Sequence, residues 1–141
     1  MRKPALVLTS AAVLALLLAV PAVASFDPHF RVVSKTVNSR GVGDPFNEKL
    51  LDPHRLQDKV GYDRGVCKED PPVAFRCKVT FHLSGEIGGH GDISVAGKIF
   101  TGQPDLEVVG GTGAFEGVGG TVTVEPSDLG RKYGVLTFDL D

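Results

Sequence analysis

The sequence predicts an all-β protein, an eight-stranded antiparallel barrel. Three observations carry this. After residue 24, fifteen valines stand against three alanines, and all eighteen glycines of the chain fall in this part. Valine packs well on a pleated surface, while glycine punctuates turns. Apolar residues alternate with polar ones at period two in stretch after stretch. Beyond residue 24, no stretch shows sustained helical periodicity; Leu50-Leu51-Asp52-Pro53 is read as one helical turn at most.

The elements follow in order. Phe30–Val37 forms a first, weakly patterned strand, and the segment around Val42–Leu51 is a poor candidate for a second. Lys59–Cys67 makes a third. Cys77, Val79, Phe81 and Leu83 then alternate with Arg76, Lys78, Thr80 and His82. Ile93, Val95, Gly97 and Ile99 alternate with Ser94, Ala96 and Lys98 in a fifth strand. Leu106–Val109, the run around Val122 and Val124, and the run Leu136, Phe138 and Leu140 complete eight. Turn signals separate them: Glu69-Asp70-Pro71-Pro72, Ser84-Gly85, Gly88–Gly91, Gly102-Gln103-Pro104, Gly110–Gly113 and Pro126–Gly130. Half-buried strands in series make a sandwich or a barrel, and eight suit a small closed barrel without exposed edges.

The first 24 residues differ in kind. Arg2 and Lys3 precede sixteen uncharged residues (5–20), and Pro21 and Ala22-Val23-Ala24 follow. This is the layout of a secretory signal, with cleavage expected after Ala24. A membrane anchor usually needs about 20 apolar residues. The expected product is a single exported domain, residues 25–141, free of the membrane. Loss of Arg2 and Lys3 takes the formal charge from −2 to −4. Such a balance argues against a nucleic-acid partner, which requires a basic face. Cys67 and Cys77, the only cysteines, are read as one disulfide in an oxidising compartment.

Chemistry is sparsely marked. His29, His54, His82 and His90 have no metal-ligand spacing, so neither metal nor cofactor is expected. The glycines of residues 108–124 precede a strand-like run, which excludes a nucleotide loop at the start of a helix. Gly110, Gly111, Thr112 and Gly113 are instead read as a structural turn, with Thr112 bonding locally and Phe115 capping the core. Within Lys59–Cys67, if Val60 and Val66 face inward, parity places Tyr62 and Arg64 beside them. A phenol and a guanidinium on an apolar lining suit ligand binding. Gly61 and Gly65 leave open a bulge that reverses this face. Glu107 and Asp139 fall on the outward parity.

The stretch Val108-Val109-Gly110-Gly111-Thr112-Gly113-Ala114-Phe115-Glu116-Gly117, followed by Gly120 and a β run, resembles the VGGTG-aromatic-x-G stretch of dirigent-like proteins. Allene oxide cyclase barrel proteins share it. Lys59–Cys67 with Cys77 downstream, and Leu83-Ser84-Gly85-Glu86-Ile87, are similar to segments of small secreted actinobacterial members of this superfamily. The resemblance spans residues 30–141. It implies an eight-stranded barrel, often trimeric, with an apolar cavity. It further implies activities in which a shaped, water-excluding pocket steers a reactive substrate, as in cyclisation of a fatty-acid epoxide or coupling of phenoxy radicals. It assigns no catalytic residue in this chain. The expected function is binding of a small hydrophobic molecule in the barrel, with isomerase or cyclase chemistry as the enzymatic form. The alternative is an exported structural or interaction module with a packed interior. A compact protease inhibitor presenting Pro71-Pro72 ranks last.

Overall fold

The computed structural model describes residues 25–72, 74–100 and 105–141. The expected leader and the Gly102-Gln103-Pro104 turn lie outside these residues. Eight antiparallel strands form a closed barrel in sequence order. They are β1 (His29–Asn38), β2 (Pro45–Asp52), β3 (Arg55–Asp70), β4 (Ala74–Ser84), β5 (His90–Phe100), β6 (Asp105–Gly111), β7 (Gly120–Pro126) and β8 (Tyr133–Leu140). Leu50-Leu51-Asp52 is strand, not a helical turn. Its ladder with β1, Leu51 opposite Val33, supplies the backbone partners that a lone helical turn would lack.

Closure is made by β1 and β8. Phe30 pairs with Phe138 and Val32 with Leu136, so the inward rows of the first and last strands meet. Phe30 and Phe138 stack at 4.4 Å, and Phe81 meets Phe138 edge-on at 5.1 Å. Such aromatic pairs add about 0.5–1.5 kcal/mol each beyond the area they bury.

The two ends of the barrel differ. One is plugged. A short 3₁₀ turn, Gly113–Phe115, drops the fully buried Phe115 ring onto Phe26 and Phe30. The β4–β5 connection folds over the same end, with Gly88 lying flat on the Phe30 ring. Thr112 bonds both locally and at long range: its carbonyl accepts from the Phe115 N–H at 3.1 Å within the turn. Its hydroxyl accepts from the backbone N–H of Asp92 at 3.1 Å, which ties the glycine turn to β5. The opposite end, at Thr36, Glu48, Ile99, Val124 and Tyr133, opens into a vestibule of about 580 Å³.

Cys67 and Cys77 face each other directly across the β3–β4 ladder and are joined by a disulfide, as expected. Glu107 is exposed on the outer surface, as is Asp139, which contacts His29 at 2.7 Å. Among the described residues, no helix is long and apolar enough to cross a membrane.

Candidate functional site in the barrel interior

The site begins with a bulge. Leu50 pairs with Gly61, but Leu51 pairs with Lys59, so Val60 is an extra residue in β3. An extra residue reverses the facing of everything beyond it. Val60 stays buried, and Gly61, Asp63, Gly65 and Cys67 follow on the inner side. Tyr62 and Arg64 therefore point outward: the bulge left open in the sequence is present, at Val60, and the conditional inward placement is corrected. Val66 follows them onto the outer row, opposite Lys78.

Outside, Tyr62 is 39% exposed and stacks on His82 at 4.4 Å. Lys59 and Arg64 lie over the Tyr62 ring at 5.4 and 5.7 Å, within the range of cation–π attraction. His82 Nδ1 meets Asp92 Oδ1 at 2.7 Å. Lys59, Tyr62, His82 and Asp92 border an open surface groove of about 490 Å³.

Inside, the two glycines of β3 make room for their neighbours. A Cβ at Gly65 would stand 2.5 Å from the Phe46 ring, and one at Gly61 would stand 2.2 Å from the carbonyl oxygen of His82. Between them Asp63 projects into a small cavity of about 120 Å³. Its walls include Phe46, Val79, Phe81, Leu106 and Leu136, together with the disulfide. Asp63 is 1% exposed and has no cationic partner; when protonated, its carboxyl hydrogen-bonds to that of Glu48. Glu48 sits directly opposite it in the β2–β3 register. Glu48 lines both the inner cavity and the vestibule, and its carboxylate accepts a bond from the Thr36 hydroxyl at 3.0 Å.

Burial pushes the Asp63 carboxyl up to about 8, and the negative charge of Glu48 adds to the effect. Both causes disfavour the ionised form. Asp63 is thus largely protonated at neutral pH, an acid held in an apolar chamber. Paired carboxyl groups with different environments can divide the roles of proton donor and acceptor. The candidate site is therefore Glu48 and Asp63, neither of which the sequence pattern singles out. The spacing Gly61-x-Asp63-x-Gly65 was the available signal: a lone side chain flanked at period two by residues with none.

A wider groove of about 1030 Å³ lies outside the plugged end, bordered by His29, Arg31, Asp52 and His54 among others. Its acidic groups are already engaged. Asp139 contacts His29, and Asp52 accepts from the His54 N–H at 2.8 Å and from Arg55. Among the described residues, no group of three or more side chains is placed to hold a metal ion.

Closed eight-stranded topology and a partly hollow interior define a barrel of the allene oxide cyclase/dirigent-like fold. The chain is similar to pyocyanin demethylase, with a TM-score of 0.58 and 22% identity over 80% of this chain and 99% of that one. It is also similar to a pterocarpan synthase dirigent protein, with a TM-score of 0.54 and 17% identity over 79% of this chain and 86% of the other. At these identities the likeness speaks for the fold. No family model and no curated protein matches the chain.

Proposed function

We propose that the protein is an exported barrel that holds a small, mainly apolar molecule in its open half, with Glu48 and Asp63 as the polar anchor. One observation carries this reading: a fully buried carboxyl with no cationic partner, paired only with another carboxyl and aimed into a cavity. Burying two acids together is costly, and packed interiors rarely keep such a pair. The inner cavity is below the roughly 300–1,000 Å³ typical of small-molecule sites, but the vestibule that shares Glu48 brings the whole into that range. A guest would set its polar group at the carboxyl pair and its body towards the mouth. A protonated Asp63 beside Glu48 suits isomerase or cyclase chemistry, in which a proton is given at one point and taken at another. The disulfide and the leader-like composition of residues 1–24 support export.

The rival reading, a packed module, draws on the plugged half, where Phe26, Phe30 and Phe115 fill the interior. It leaves Asp63 without a reason. The two are separated by screening fatty-acid and phenolic compounds for a rise in melting temperature. The comparison is between the native protein and a Val124→Trp variant, which fills the mouth. Hits that stabilise the first and not the second support a guest in the barrel; a flat screen of both rejects it.

A further inference from the structure

The geometry points to the class of guest: an organic cation, an apolar body carrying a protonated amine, with its ammonium group seated between Asp63 and Glu48. This inference rests on the reading of the barrel as a guest-holding site and specifies its occupant.

The argument is one of unmatched chemistry. The inner cavity contains two carboxyl groups and otherwise apolar side chains and a disulfide; no cationic side chain borders it. Ion-pair contacts within 4 Å are made elsewhere in the described residues, by Asp52, Asp58, Asp70, Asp92 and Asp139, but not by Glu48 or Asp63. Buried charges in folded proteins are ordinarily paired. Here the basic half of the pair is missing: Asp63 shares its proton with the Glu48 carboxyl, and no cationic side chain reaches either group. An anionic guest would add like charge to a site of low dielectric. A neutral carbonyl guest would accept one bond from a protonated Asp63 and leave the Glu48 charge unmatched. An ammonium donates up to three bonds and compensates charge at once.

Shape selects an organic cation over a metal ion. Two carboxylates without a third ligand make a poor metal cage, and no further ligand joins them among the described residues. An engineered apolar cavity of about 150 Å³ accommodates benzene. The 120 Å³ here holds an ammonium and a few carbons, and the remaining body extends past Glu48 along Ile99 and Val124 into the vestibule. Arg131 and Lys132 border that mouth, but both are exposed and screened by water, and Glu125 borders it with them.

Proton linkage follows. The groups facing Asp63 are Glu48 from β2 and apolar side chains from β4, β5, β6, β7 and β8; Glu125, Arg131, Lys132 and Tyr133 stand farther out along the vestibule. A cation favours the ionised Asp63, so its binding expels the proton that burial keeps there.

Three probes share one body and differ in the head: 4-phenylbutylamine, 4-phenylbutanol and 4-phenylbutyric acid. Titration calorimetry with the native protein at pH 7 is expected to show the amine binding about tenfold or more tighter than the alcohol, with the acid weakest. Amine affinity should rise by about tenfold per pH unit between pH 5 and 7, and paired buffers of different ionisation heat should show close to one proton released. Asp63→Asn, verified as folded by its melting transition, should abolish the amine's advantage over the alcohol and the proton release. Glu48→Gln should reduce the advantage independently. If the alcohol or the acid binds tightest, or if the amine binds without proton release, the cation class is overturned and the guest-holding barrel stands. If none of the three binds, both readings fall.

Discussion

Glu48 and Asp63 occupy directly opposed positions on neighbouring strands, on the inner side of the barrel wall. Two like-charged groups so placed cannot both ionise freely, and burial weighs on Asp63 the more. The pair is therefore both the chemical centre of the interior and a weak point in the stability of the fold.

The stability of the protein should depend on pH in a definite direction. Asp63 has a native pKa of about 8 against 3.8 in the unfolded chain. The folded state then binds this proton more tightly, so the stability is fully present below about pH 4 and is lost as the pH rises towards 8. Asp52 and Asp70 act oppositely. Asp52 is held down chiefly by the His54 backbone bond and Asp70 chiefly by its bond from Lys98, so their contributions vanish as pH falls through the carboxylate range. Thermal melts should show a maximum in mildly acid solution. Asp63→Asn should flatten the alkaline limb and raise stability at pH 8.5 by a few kcal/mol. An unchanged alkaline limb contradicts the assignment.

Breaking the cross-strand bridge should weaken the fold without dissolving it. Cys77→Ser removes a short covalent loop between β3 and β4, at an expected cost of about 2–3 kcal/mol in denaturant titration. Two reactive thiols in the native protein would refute the bridge.

Two glycines with nearly the same backbone separate sterics from conformation. Gly88 and Gly117 have φ of +76° and +77°. A Cβ at Gly88 would stand 2.6 Å from the Phe30 ring, whereas nothing lies within 4 Å of one at Gly117. Gly117→Ala should cost only the left-handed penalty, about 1–2 kcal/mol. Gly88→Ala should cost clearly more, because the plug must shift as well. Equal losses in parallel melts would mean that the β4–β5 connection does not press on Phe30.

Tyr62 supplies a negative control for the interior. Its ring lies on the outer surface against His82. Tyr62→Ala should change stability by about 1 kcal/mol or less, and should leave guest affinity within about twofold. A large loss of binding would return the site to the outer groove.

Much of the architecture was legible because period-two patterning survives wherever one face of a strand is dry. Val79-Phe81-Leu83 and Leu136-Phe138-Leu140 declare their inner faces openly, and all three residues of each set are buried. Phe115 was legible as a cap because a large apolar residue inside a glycine turn has nowhere else to go. The interior pair was not legible, for two physical reasons. Parity counts break at Val60, and the break is a matter of the register in which β3 pairs with β2, which composition does not encode. The inner face of β3 is moreover made of Gly61, Asp63 and Gly65, so the hydrophobic signal that marks an inside is absent where the chemistry sits. Glu48 lies on β2, whose inner row mixes Phe46 and Leu50 with a charge and reads as irregular.

The extra residue at Val60 has an evolutionary corollary. Because the strand beyond it is held in phase by a single inserted position, deletion of one codon there would rotate the wall by half a repeat. Glycine, aspartate and glycine would leave the lumen, and a tyrosine and an arginine would enter it. Cys67 would turn outward with them, so the exchange of an acidic chamber for a basic, aromatic one would also sever the bridge to Cys77 on the neighbouring strand.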